Sequence, residues 1–221
     1  MIPFSQYLNN FLDYIFPQFC LSCKLEGTIF CDSCLNKLEL LPANQKPWPE
    51  ENFLFAECHI CLDYHNPVVK KLIKKYKYGY FDNLAEAIAT VYVKKIISLN
   101  LNNNFILCNV PLHKRKKKKR GFDQTELIAK KIGLATKIPY FDLLSRQRFT
   151  KAQAELDKMQ RQKNMSQAFV INKKINPSEL ISHSVLLIDD IATTGTTLNE
   201  ASRALKKAGF QQIICLALAK N

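Results

Sequence analysis

The sequence predicts an α/β fold, a parallel sheet flanked by helices, preceded by a small module of four cysteines. Three observations predict it. The last 37 residues read as strand, loop, helix and strand (185–188, about 197–208 and 212–218), an order that joins parallel strands by a right-handed crossover. A second apolar run, Phe105 to Val110, stops at Pro111 and suits another buried strand. Four cysteines are crowded between Cys20 and Cys34, ahead of a proline-interrupted stretch. With 221 residues, 47% hydrophobic and 23% charged, the chain can bury one substantial core and carry one small extra module.

Residues 4–16 have helical apolar spacing (Phe4, Tyr7, Leu8, Phe11, Leu12, Ile15), broken by Pro17. This start lacks a basic head, a continuous apolar centre and a small-residue cleavage site, so it does not read as a signal peptide. No apolar run approaches the roughly 20 residues that a membrane-spanning helix needs. A cytoplasmic location is expected. Pro42, Pro47 and Pro49 mark a linker, which predicts a boundary near residue 50: residues 1–50 hold the helix and cysteine module, and residues 51–221 the α/β domain. A strand is expected from Phe53 to Tyr64, a basic helix over 67–78 and another helix over 82–98. After the Phe105 strand come a basic loop and a helix from about Asp123 to Ile132 that ends at Gly133. Residues 144–169 are polar and rich in Arg, Lys and Gln.

Charge is uneven. Of the 32 Lys and Arg, 16 fall within residues 66–131 against four acids, and these account for nearly all of the net +13. The densest part is Lys114, Arg115, Lys116, Lys117, Lys118, Lys119 and Arg120 in unbroken succession. Such a field attracts polyanions, either nucleic acid or phosphorylated small molecules; the plain alternative is a solvated lysine-rich loop. Tyr76, Tyr78, Tyr80 and Phe81 lie among the cations and could stack on bases, although core packing competes for some of them.

Cys20-x2-Cys23 and Cys31-x2-Cys34 are two chelating pairs, each able to place two thiolates about 2.3 Å from one zinc ion. Four sulfurs complete a tetrahedron with no open position, which points to a structural metal; redox thiols are the competing reading. Cys58-x2-Cys61 sits in an expected strand, where residues three apart point to opposite faces, so a second metal site is not expected. Cys108 and Cys215 lie in apolar strands and read as packing residues.

The apolar run Val185–Ile188 delivers Asp189 and Asp190 to the carboxyl end of the sheet, where open α/β proteins bind ligands. Ile191-Ala192-Thr193-Thr194-Gly195-Thr196-Thr197 follows and opens a helix. A helix start offers unpaired N–H groups and the positive end of a dipole, Gly195 permits a tight turn, and threonine hydroxyls add donors. Adjacent carboxylates would repel a phosphate, so they face vicinal ribose hydroxyls or a magnesium ion. Acid pair plus phosphate cradle specifies a 5-phosphorylated sugar.

This segment resembles the phosphoribosyltransferase signature, an apolar strand followed by two acids and a Thr-Gly-x-Thr loop. The resemblance implies a type I phosphoribosyltransferase-like sheet with a hood. It also implies that phosphoribosyl pyrophosphate binds at residues 189–197: Asp189 and Asp190 on the ribose 2- and 3-hydroxyls, Thr193 to Thr197 on the 5-phosphate, magnesium with the pyrophosphate. Purine-salvage members carry an aspartate where Thr193 stands, and threonine is no general base at neutral pH, so transfer to a purine is not expected.

Further stretches resemble the ComF/GntX family of competence-associated phosphoribosyltransferase-like proteins. Val110-Pro111-Leu112-His113, the basic run and Arg120-Gly121-Phe122-Asp123-Gln124 match its pyrophosphate loop, with Asp123 in place of the usual asparagine. There the backbone amides would hold pyrophosphate, and Arg115 and Arg120 could add charge. Arg146, Thr150, Gln153 and Leu156, then Arg161, Asn164 and Phe169, match a hood block, and the cysteine group matches the family's zinc-ribbon module. The resemblance implies a role in DNA uptake during natural transformation, on internalised single-stranded DNA beside a helicase-like partner, with Lys114 and Lys116 to Lys119 on the nucleic acid. The alternative is a metabolic, magnesium-dependent phosphoribosyltransferase with an unidentified amine or base acceptor and no DNA role. The sequence assigns no catalytic base, and turnover is an open expectation.

Overall fold

Residues apolar at every position need cover on both faces, and the run from Val185 to Ile188 obtains it at the centre of a four-stranded parallel sheet. The computed structural model describes residues 17–42, 53–79, 83–101, 104–147 and 168–221. In chain order these hold helix α1 (Asp32–Asn36), strand β1 (Glu57–Asp63), helices α2 (Pro67–Tyr78) and α3 (Leu84–Ser98), strand β2 (Phe105–Asn109), and helices α4 (Lys114–Arg120) and α5 (Gln124–Thr136). Two short strands, β3 (Leu144–Arg146) and β4 (Phe169–Ile171), then precede strand β5 (Ser184–Ala192), helix α6 (Thr196–Lys207) and strand β6 (Ile213–Lys220). The expected helix over 4–16, the prolines Pro47 and Pro49, Tyr80, Phe81 and most of the hood block lie outside the described residues.

The sheet order is β1-β6-β5-β2, all parallel, with Asn109 opposite Ile188 and Asp189 opposite Ala217. Alternation along β5 sorts its side chains into two layers. Leu186 and Ile188 join Leu72, Ile88, Tyr92, Ile128 and Ile132 from α2, α3 and α5. Val185 and Leu187 join Leu198, Ala201 and Leu205 of α6 and Phe169 of the β3–β4 pair. The helices that follow β2 and β5 therefore cover opposite faces. Between the ends of those two strands the chain reverses its winding and leaves a crevice, the usual ligand site of such sheets.

Cys58 and Cys61 fall in different layers, as the strand period requires. Burial pushes the Cys58 and Cys108 thiols up to about 12, so both pack as inert apolar groups. The cysteine segment shares the first layer: Ile29, Phe30 and Leu35 pack there. Helix α3 ties it down. Lys94 Nζ donates to Asn36 Oδ1 at 2.8 Å, while buried Lys95 donates to the carbonyls of Leu41 and Pro42 at 2.8 and 3.3 Å. Three residues earlier, the Tyr92 hydroxyl donates to the backbone carbonyl of Asp189.

Four expectations are corrected. Lys114–Arg120 is a helix and not a loop: His113 Nδ1 accepts from Arg115 N at 3.2 Å and caps it, and lysine and arginine are good helix formers. Helix α5 continues through Gly133 to Thr136 and stops at Lys137, in the left-handed region at φ 61. Gly133 serves a close approach instead, since a Cβ there would meet Ile138 O at 3.0 Å. Strand β1 starts only at Glu57, because residues 53–56 bend onto α6, where Leu54 N donates to Asn199 Oδ1 at 2.8 Å. Strand β5 runs on to Ala192, so both acids belong to the strand.

Candidate functional site

Because Asp189 and Asp190 are consecutive strand residues, their carboxylates leave toward opposite layers and meet different neighbours. Asp189 is buried, and its Oδ1 accepts from Asp190 N at 2.9 Å. Burial first, and the Asp190 charge second, push its carboxyl well above the usual range. Asp190 Oδ1 accepts from Ile191 N at 2.6 Å, and its Oδ2 lies 2.7 Å from Lys77 Nζ at the end of α2.

After Ala192 the chain turns through Thr193 and Thr194 to Gly195, whose φ of 73 is in the left-handed region that glycine adopts without strain. Gly195 is the N-cap of α6, and no side chain caps the helix, so its first-turn N–H groups face the loop. Thr194 and Thr196 hydroxyls lie 2.8 Å apart. The end of the chain closes this side, with Asn221 N donating to Ala192 O at 2.9 Å.

On the other side, Val110 N donates to Ile188 O at 2.9 Å and sets the expected pyrophosphate loop beside the acid pair. A polar lattice supports it from below. Thr125 Oγ1 donates to Val110 O at 2.7 Å, and Leu112 N donates to Asp123 Oδ2 at 2.7 Å. The single Thr125 hydroxyl proton is shared with Asp123 Oδ1, 2.8 Å away, and Asp123 also accepts from Glu126 N at 3.3 Å. All three contacts use Asp123 as an acceptor, so the donor that asparagine would add is not called upon here.

These parts surround a cleft of about 350 Å³, lined by Val110, Pro111, Leu112, Lys116, Arg120, Arg146, Asp189, Asp190, Ile191, Thr193 and Thr197, together with Lys77, Tyr78, Gln124, Thr125 and Asn221. It thus joins expected site residues from three distant stretches, around 110–120, 146 and 189–197. Ala192, Thr194, Gly195 and Thr196 shape the loop beneath it, while His113, Arg115, Lys114, Lys117 and Lys118 do not line it. His113 caps α4, and burial, then Arg146 and Arg115, hold its imidazole below its ordinary value. Lys117 pairs with Glu126 at 2.7 Å. Arg146 of β3 places its guanidinium 5.3 Å from the Phe169 ring centre. Gln153, Arg161 and Asn164, the other expected hood residues, lie outside the described residues. Lys77 was missed, and Tyr78 was read only as a ring that could stack on bases. Nothing local marks them, because their role comes from the way α2 ends against Gln124, whose Nε2 donates to Lys77 O at 3.3 Å.

The four sulfurs of Cys20, Cys23, Cys31 and Cys34 lie within 4.8 Å of one another, with Cys23 Sγ and Cys31 Sγ 3.6 Å apart. Metal bonds of about 2.3 Å in a tetrahedron separate sulfurs by about 3.8 Å, so this group could hold one metal ion. Burial opposes the Cys20 thiolate, but amides of Cys31, Cys23 and Ser22 outweigh it and bring this thiol to about 6. No helix among the described residues is long and apolar enough to cross a membrane.

A sheet with this winding, an acid pair and a glycine-turned helix start at its reversal point define a phosphoribosyltransferase-like α/β protein. Residues 118–221 match the phosphoribosyl transferase domain family. Competence protein F of Haemophilus influenzae is 32% identical over 112 residues, 50% of this chain and 48% of its own. Competence protein ComFC of Bacillus subtilis is 24% identical over 145 residues, 66% of this chain and 56% of its own. The chain spans about half the length of these two relatives. The DNA utilization protein YhgH of Escherichia coli is 24% identical over 209 residues, 89% of this chain and 82% of its own. These matches support a ComF family phosphoribosyltransferase-like protein.

Proposed function

We propose that the cleft binds phosphoribosyl pyrophosphate and that the protein acts in DNA uptake, handling internalised single-stranded DNA. In this reading Asp189 and Asp190 accept from the ribose hydroxyls, the Thr193–Thr197 loop and the start of α6 hold the 5-phosphate, and the pyrophosphate faces Pro111, Lys116, Arg120 and Arg146. The observation that carries it is the meeting of acid pair, anion loop and cation cluster around one cleft at the point where the sheet reverses its winding. Magnesium fits as an ion brought in on the pyrophosphate: the carboxylates lining the cleft are Asp189 and Asp190, and Asp190 is held by Lys77. Departure of pyrophosphate from the anomeric carbon would leave positive charge on the sugar, which the acid pair would orient and the Asp190 carboxylate would stabilise.

The relatives' names, competence proteins and a DNA utilization protein, support the DNA role. The exposed lysines of α4 suit phosphate contacts without sequence readout, beside a helicase-like partner. Zinc is the metal proposed for Cys20, Cys23, Cys31 and Cys34, held structurally in a unit spanning residues 1–50, with residues 51–221 forming the phosphoribosyltransferase-like domain.

Calorimetry with phosphoribosyl pyrophosphate and magnesium tests the cleft. Heat of binding is expected for the parent and none for the double variant Asp189→Asn/Asp190→Asn. A parent that gives no heat, or a double variant that binds as tightly, overturns the reading.

A further inference from the structure

Lys77 is the penultimate residue of α2, and a cation in a last helical turn ordinarily faces solvent and complements the dipole. Here its side chain is only 18% exposed and turns inward to Asp190. It does not stand alone: Lys116, Arg120 and Arg146 line the same cleft. Burial, and then the neighbouring Arg146, Arg120 and Lys77, hold the Lys116 ammonium below its ordinary value, as crowding of cations around one cleft requires. Four cations thus face two carboxylates, and buried Asp189 resists ionisation. The cleft carries a surplus of positive charge that sugar hydroxyls cannot neutralise and a diphosphate can.

We propose that Lys77 is a ligand-binding residue that exchanges partners, holding Asp190 until the sugar hydroxyls take that carboxylate over and then turning to the ligand's pyrophosphate. This rests on the phosphoribosyl reading of the cleft and deepens it. Lys77 then selects the activated sugar over its simple 5-phosphate, because only the activated sugar offers an anion to receive the displaced ammonium. No bond is made or broken; one charge-assisted contact replaces another.

Calorimetry with phosphoribosyl pyrophosphate, ribose 5-phosphate and inorganic pyrophosphate, each with magnesium, tests the exchange. Lys77→Met should weaken the activated sugar and pyrophosphate about ten- to hundredfold, as expected for loss of a hydrogen bond to a charged group. Ribose 5-phosphate should bind it as well as the parent or better. Lys77→Arg should keep most of the affinity for the activated sugar. Asp190→Asn releases Lys77, so pyrophosphate alone should bind at least as tightly as to the parent while ribose 5-phosphate weakens. Equal losses for both sugars in Lys77→Met, or no loss for either, overturn the proposal. Should that variant fail to fold, weaker pyrophosphate binding by Asp190→Asn overturns it instead. A parent that binds none of the three overturns the phosphoribosyl reading itself, a separate outcome.

Discussion

Burial of Asp189 at the end of β5 has a thermodynamic signature. Its carboxyl is pushed up to about 8, by burial and then by Asp190, so the folded protein keeps a proton that the unfolded chain loses near pH 4. Stability therefore falls as pH rises from about 4 to about 8, and levels off above. Asp189→Asn removes this dependence: it should raise the melting temperature above pH 8 by at least about 2 °C, with little effect near pH 4, by calorimetric scans at both pH values. A flat difference across that range would contradict the account. The acid pair was legible because two carboxylates after a continuous apolar run have few structural uses. The unequal environments of the two acids were not, since they depend on which layer each side chain enters and on Lys77 arriving from α2.

Element boundaries carry the next layer of consequence. Gly195 turns β5 into α6 with a positive φ, so Gly195→Ala should destabilise the fold by about 1–2 kcal/mol in urea titration. The same variant should weaken phosphate-bearing ligands, because the first-turn amides shift with the backbone. Helix α4 separates two uses of positive charge. Lys116 lines the cleft and Lys117 pairs with Glu126, whereas Lys114 and Lys118 are exposed. Lys114→Ser/Lys118→Ser should lower the salt slope of single-strand binding by about 1.4, roughly 0.7 for each phosphate no longer neutralised, and leave phosphoribosyl pyrophosphate binding intact. An unchanged slope would remove α4 from the DNA contact. This helix was misread as a loop because seven adjacent cations look self-repelling, and the His113 cap that starts it is not a common one. Helix α2 was read with little error, since its apolar period matches the layer it enters, whereas β5 was read as ending at Ile188 because the two acids broke its apolar run.

At the scale of the whole molecule, the cysteine segment and the sheet share one apolar layer, with Ile29, Phe30 and Leu35 packed among residues of α2 and α3. Removing the proposed zinc with a selective chelator, or Cys34→Ser, should therefore lower the melting temperature of the entire protein in a single transition, without a separate early one. Two resolved transitions in the scan would show the segment folding on its own. The cysteine spacing announced the four-sulfur group, but not the attachment of its segment, which runs through Lys94 and Lys95 to Asn36, Leu41 and Pro42. Helix α3 holds that attachment and, through Tyr92, the backbone of Asp189. One helix thus contacts the four-cysteine segment and, a turn away, the strand that carries the acid pair, so on the proposed reading oxidation of those sulfurs would loosen the hold on a sugar phosphate.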